Sequence, residues 1–102
     1  MIYENLSREE VERQVQEGVS LLYFYSDNCG PCIFTQKIME EIAVLSNVRI
    51  FKIDSNKETA WSKDLRVDHV PLTFLVKDGQ ILNKIIGYTR RSEFFDLVNK
   101  FI

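Results

Sequence analysis

The sequence is poor in the residues that staple, kink or charge a chain: two cysteines, two prolines, four glycines and one histidine in 102 residues. Two cysteines and one histidine fall short of the four nitrogen or sulfur ligands of a structural zinc site, so a zinc centre would have to be shared with a second chain through four thiolates. No segment approaches the roughly 20 consecutive apolar residues of a membrane-spanning helix. Met1 to Glu17 is polar and acid-rich, without the basic start and apolar stretch of a secretory signal. Excess positive charge is missing too. With 13 Lys and Arg against 15 Asp and Glu the net charge is −2, which leaves no footprint for nucleic acid or an anionic membrane. These absences point to the cytoplasm, a reducing compartment that disfavours structural disulfides. Cysteines three positions apart would also be a weak staple, since so short a loop restricts the unfolded chain little. The pair needs a chemical explanation.

What the chain does have is core. Hydrophobic residues make up 45%, including seven Phe, four Tyr and one Trp, enough to pack one domain over residues 1–102 but not two. Ser7 with Glu10 three residues on reads as a capping box, and Val11 and Val15 share a face, so a helix is expected to run to Glu17 and stop at Gly18. Ile2 and Tyr3 before it make at most a stub of edge strand. Val19 to Tyr25, VSLLYFY, is a buried strand by composition. A helix follows Cys29–Pro31, with Phe34, Ile38, Ile42 and Leu45 as its apolar seam. Val48 to Ile53 is a second buried strand. A turn over Asp54–Lys57 and a short helix over Thr59–Leu65 come next, with Trp61 and Leu65 on one face as packing. Leu72–Val76 and Ile81–Ile86 flank Asp78-Gly79, a hairpin signal, and Ser92–Phe101 closes the chain with Phe94, Val98 and Phe101 at helical spacing. Strands separated by helices should lie parallel, with the hairpin adding an antiparallel edge. The expected class is α/β: a mixed central sheet of four to five strands with helices on both faces.

Cys29-Gly30-Pro31-Cys32 falls where the first long strand ends and the long helix begins. There Pro31 is tolerated, because the first helical turn has no intrahelical acceptor for an N–H. Gly30 is expected to lend the tight turn its backbone freedom. Cys29 would face the unpaired N–H groups at the positive end of the helix, which favour a thiolate, and Cys32 lies within disulfide reach. The pair then works as a two-electron switch. The Cys29 thiolate attacks a disulfide to give a mixed disulfide, and Cys32 displaces the reduced partner.

The CGPC motif in this context, together with Val70-Pro71 opening a strand, Gly87 after the last strand, Asp54 and Asp78-Gly79, resembles the thioredoxin family over Ser7 to Ile102. The resemblance implies a thioredoxin-like fold, a cis Pro71 beside the cysteines, and a Val70 backbone open to pairing with an extended substrate. It also implies a docking surface of Gly30, Pro31, Val70, Pro71 and Gly87. Gly-Pro between the cysteines is the dipeptide of the reducing members. Protein disulfides would be the substrates and a thioredoxin reductase the electron donor, with no cofactor and no metal in the domain itself. No long apolar edge suggests an obligate dimer, so a monomer is expected.

Several positions depart from the family pattern. Tyr23 stands where a buried Asp usually assists the second cysteine, and with an ordinary pKa of about 10 it is a poor base at neutral pH. Ile50 stands where the lysine near that Asp usually lies; losing both charges together avoids leaving one buried alone. Asn28 replaces an aromatic, Ile33 a lysine, and Lys37 the proline that kinks the helix. His69, two residues before Pro71, is a candidate for tuning the cysteines, against the plainer reading of a solvated loop side chain. Asp27 is an exposed charge near the pair. The rival from another class is a thioredoxin-fold assembly module with a narrow or vestigial redox role.

Overall fold

The computed structural model describes all residues from Met1 to Ile102. The chain runs β1 (Ile2–Glu4), α1 (Arg8–Gln14), β2 (Val19–Tyr25), α2 (Gly30–Leu45), β3 (Arg49–Asp54), α3 (Thr59–Asp64), β4 (Leu72–Lys77), β5 (Gln80–Ile86) and α4 (Arg91–Phe101). One five-stranded sheet, in the order β1-β3-β2-β4-β5, carries the whole fold. β1, β3 and β2 are mutually parallel, and β4 and β5 are antiparallel to their neighbours. The mixed sheet matches the expected α/β class.

Strand alternation splits the core in two. Leu22, Phe24, Phe51, Ile53, Phe74 and Val76 face Val11 of α1, Val15 just beyond it and Trp61 of α3. Leu21, Tyr23, Ile50 and Leu75 face Ile38, Met39 and Ile42 of α2 and Phe94 and Val98 of α4. Phe24 is completely buried, with Trp61 and Phe74 edge-on to its ring. It is the centre of one layer, and fully burying a side chain of that size is worth about 2–3 kcal/mol.

Three expectations need correction. First, β4 follows a helix yet runs antiparallel to β2, pairing Leu72 with Phe24 and Lys77 with Val19. The six-residue α3 explains this. At about 1.5 Å per residue it is too short to carry the chain back along a strand rising about 3.3 Å per residue, so β4 starts near the end where β3 finished. Second, α1 ends at Gln14 and not Glu17. The Val15 carbonyl accepts from Gly79 N–H, and Gly18 exchanges hydrogen bonds with Asp78, so the hairpin turn takes the groups that another helical turn would use. Third, the α2 seam is Cys32, Thr35, Ile38, Met39 and Ile42, while Phe34 and Leu45 are exposed. At about 100° per residue the buried arc centres near Thr35 and Ile42, leaving Phe34 and Leu45 roughly 80–100° off it. With Lys37 in place of a proline, α2 is one uninterrupted helix of 16 residues. No helix is long and apolar enough to cross a membrane.

Candidate active site

β2, the central strand, ends at Tyr25, and four residues later Cys29 caps α2. Its backbone is extended (φ −105°, ψ 107°), and its Sγ accepts the Cys32 N–H at 3.2 Å. The sulfur thus stands where a capping oxygen usually does, on an N–H group that no helical carbonyl can reach. Cys29 and Cys32 are joined as a disulfide with their Cα atoms 5.3 Å apart. Cys29 is half-buried and Cys32 buried. Pro31 lies in the first turn, where its missing N–H leaves no acceptor unpaired. Gly30 differs from expectation. It is already helical, its φ is not positive, and a Cβ there would meet nothing within 4 Å. The turn does not need its backbone freedom, and the position beside Cys29 has open space where a side chain would stand.

The loop before β4 completes the site. The Val70–Pro71 peptide is cis, Pro71 is buried, and the Val70 carbonyl lies 3.5 Å from Cys29 Sγ, a contact across which a reduced thiol can donate. Val70 forms no backbone–backbone hydrogen bond, so its peptide groups are open. Gly87 donates its N–H to the Pro71 carbonyl at 2.7 Å from a backbone with φ +75°, which an L side chain adopts only under strain. Through this bond Gly87 is tied to Pro71, and Pro71 and Val70 to Cys29.

Tyr23 lies beneath the pair, and its hydroxyl donates to the Cys32 carbonyl at 3.1 Å. Burial, followed by the neighbouring Tyr25, pushes that hydroxyl up to about 12. It is a neutral donor to the backbone and not a base for sulfur. Ile50 is completely buried opposite Leu21. The residue opposite Tyr23 is Lys52, whose ammonium sits 4.4 Å above the Tyr25 ring and 3.1 Å from Glu4. Lys52 shares with Cys29, Cys32, Tyr23 and Gln36 the lining of one crevice. The alternation of Ile50 and Lys52 on one strand face is the sequence signal that would have found it. His69 is exposed and forms no hydrogen bond to either sulfur. Asp27, Asn28 and Ile33 are exposed around the pair, and Phe34 meets Tyr88, the residue after Gly87, with ring centroids 5.6 Å apart. No group of three or more metal-ligating side chains gathers in the chain.

A cysteine pair joined across one helical turn, on a mixed α/β sheet, places the chain among the thiol–disulfide oxidoreductases. The family model described as thioredoxin matches residues 3–100, and the chain belongs to the thioredoxin family. It is 29% identical over 93 residues to thioredoxin of Listeria monocytogenes, covering 89% of this chain and 90% of that protein. To thioredoxin of Staphylococcus aureus it is 26% identical, covering 89% of each. Among solved structures it resembles a point mutant of thioredoxin from Halobacterium salinarum (TM-score 0.91, 25% identity, 98% of this chain and 89% of that one). Thioredoxin from Trypanosoma brucei brucei shares the fold at a TM-score of 0.83 and 23% identity, over 97% of this chain and 92% of that one. The chain is accordingly a protein-disulfide reductase by class.

Proposed function

We propose that Cys29 is the attacking sulfur and Cys32 the resolving one, in a single cytoplasmic domain that works as a monomer and takes electrons from a thioredoxin reductase. The observation that carries the assignment is the inequality of the two sulfurs: Cys29 is the more exposed and caps the helix, while Cys32 is buried behind it. In the reduced chain a Cys29 thiolate keeps the Cys32 N–H as donor and the positive end of α2 behind it. It attacks one sulfur of a substrate disulfide, and the other sulfur leaves as a thiolate that takes up a proton. Cys32, losing its proton to solvent, then attacks Cys29 Sγ. The second substrate thiol departs and Cys29–Cys32 is oxidised, two electrons having passed to substrate.

The substrate segment would lie along the open Val70 peptide, over the surface of Gly30, Pro31, Pro71 and Gly87. Reduction of insulin with dithiothreitol as electron source tests the assignment beside a Cys29→Ser control. Turbidity from reduced insulin should appear faster with the native chain and at the uncatalysed rate with the control. Equal rates with native chain and control would overturn the role given to Cys29.

A further inference from the structure

The Val70 edge is flanked by two unlike surfaces. On the Pro71 side, Gly87 leads to exposed Ile86 and to the Tyr88–Phe34 ring pair, which is apolar. On the other side a pocket is lined by Ser26, Ser55, Asn56, Ser62, Asp68 and His69, with Val70 itself in its wall. Asp68 takes part in no ion pair. Ser55 spends its proton on the Tyr25 carbonyl and keeps its lone pairs free. Ser62 is 7% exposed, and its hydroxyl has no hydrogen-bond partner, which is uncommon for a buried polar atom. The pocket therefore offers acceptors and negative charge to a donor it does not hold.

We propose that this pocket is a specificity subsite that receives a lysine or arginine side chain of the disulfide-bearing polypeptide. The inference rests on the reading that substrate lies along Val70. In an extended segment alternate side chains point to opposite sides, so a residue near the substrate cysteine can project toward Asp68 while the backbone pairs with Val70. Charge decides the class of side chain. A carboxylate brought beside Asp68 meets repulsion, an aliphatic group leaves the Ser62 hydroxyl unpaired, and an ammonium or guanidinium supplies a donor. The apolar surface beyond Pro71 gives a cation nothing comparable, so the preference should hold on one side of the substrate cysteine only.

The test uses the reduced full chain and five-residue peptides, each with a central cysteine blocked as its methylthio disulfide. Lysine, alanine or glutamate is placed in turn at the four other positions, and the rate constant for oxidation of the chain is followed by stopped flow. Lysine should beat alanine by roughly twofold to fivefold on one side of the cysteine, with glutamate slower than alanine there. Asp68→Asn should bring the lysine-to-alanine ratio toward one, and Asp68→Lys should put glutamate ahead of lysine. The residue is exposed, so neither change threatens the fold. Equal rates for all peptides, a lysine gain on both sides, or a ratio that ignores both Asp68 variants would overturn the subsite and leave the reductase reading standing. No reaction with any peptide, alanine included, would overturn the reductase reading itself.

Discussion

Cys29 and Cys32 are one helical turn apart and covalently joined, yet they occupy different chemical surroundings. Around Cys29 the structure removes material: Gly30 has no side chain, Val70 has no backbone partner, and solvent reaches the sulfur. Around Cys32 it adds material: the residue is 5% exposed, lies over the Tyr23 hydroxyl and joins the seam of α2 with Thr35 and Met39. The difference supports the proposed order of the steps. A sulfur that must meet a foreign disulfide needs access and charge stabilisation, whereas one that acts only on its neighbour needs position. The second gains effective concentration from being held one turn away.

Removing the inner sulfur should break this comparison most completely. Cys32→Ser retains the capped Cys29 and should still attack, but the mixed disulfide then has no internal thiol to open it. Mass spectrometry after mixing with a protein disulfide should show the chain covalently joined to one partner, with turnover reduced by at least about a thousandfold. Cys29→Ser should give no such adduct. An adduct of equal yield through Cys32 in the Cys29→Ser chain would mean that burial does not separate the roles.

The floor of the inner site is the next lever. Tyr23 is neutral and engaged with a carbonyl, so it offers no help with the Cys32 proton. Tyr23→Asp should hasten resolution of a preformed mixed disulfide by roughly tenfold, short of the roughly hundredfold or more that a fully positioned base supplies. Lys52 lies opposite in the sheet to receive the new carboxylate, although burying it should still cost about 3 kcal/mol of stability. Stopped-flow rates no faster than native would sink this. Tyr23 also predicts an alkaline weakness with a definite sign. Its folded pKa, about 12, lies above the unfolded value of about 10, so the neutral hydroxyl stabilises the fold fully below pH 10. That contribution is lost as pH rises from 10 toward 12, amounting to no more than about 2 kcal/mol across the interval. Tyr23→Phe should flatten this part of the stability curve, whereas at neutral pH it should cost about 1 kcal/mol or less. Denaturant melts at pH 8 and pH 11 read both.

The layers of this fold were legible because the periodicities that make them are local. The VSLLYFY strand, the Asp78-Gly79 hairpin and the Phe94–Val98 face need only neighbouring residues to be read. CGPC was legible for the same reason: cap, proline and resolving sulfur all lie within one turn. What escaped depends on distance in the chain. The direction of β4 follows from how far six helical residues can reach. The early end of α1 follows from a turn more than 60 positions later taking its hydrogen bonds. Lys52 opposite Tyr23 is a matter of register between strands, and the hydroxyl pocket joins residues from Ser26, Ser55, Ser62 and Asp68, which no local pattern connects. The misreading of Gly30 has another origin. A glycine at a turn invites an argument about backbone freedom, yet here the backbone is helical and what the glycine leaves is empty space.

Two glycines sharpen the last distinction, with the smallest expected effects. Gly30 is helical and Gly87 left-handed, and an added Cβ meets nothing within 4 Å at either. Alanine should therefore act oppositely on stability at the two sites. Gly30→Ala should stabilise by up to about 0.5 kcal/mol, since alanine loses less freedom in a helix. Gly87→Ala should destabilise by about 1 kcal/mol, because φ near +75° brings its Cβ against its own backbone. Both add a methyl group to the surface assigned to substrate, so both should slow insulin reduction, by roughly twofold to fivefold. Thermal melts and the insulin assay on the two variants separate the properties. A Gly30→Ala chain that is more stable and as fast as native would show that the space beside Cys29 does not serve docking, and would move the docking surface wholly to the Val70–Gly87 side.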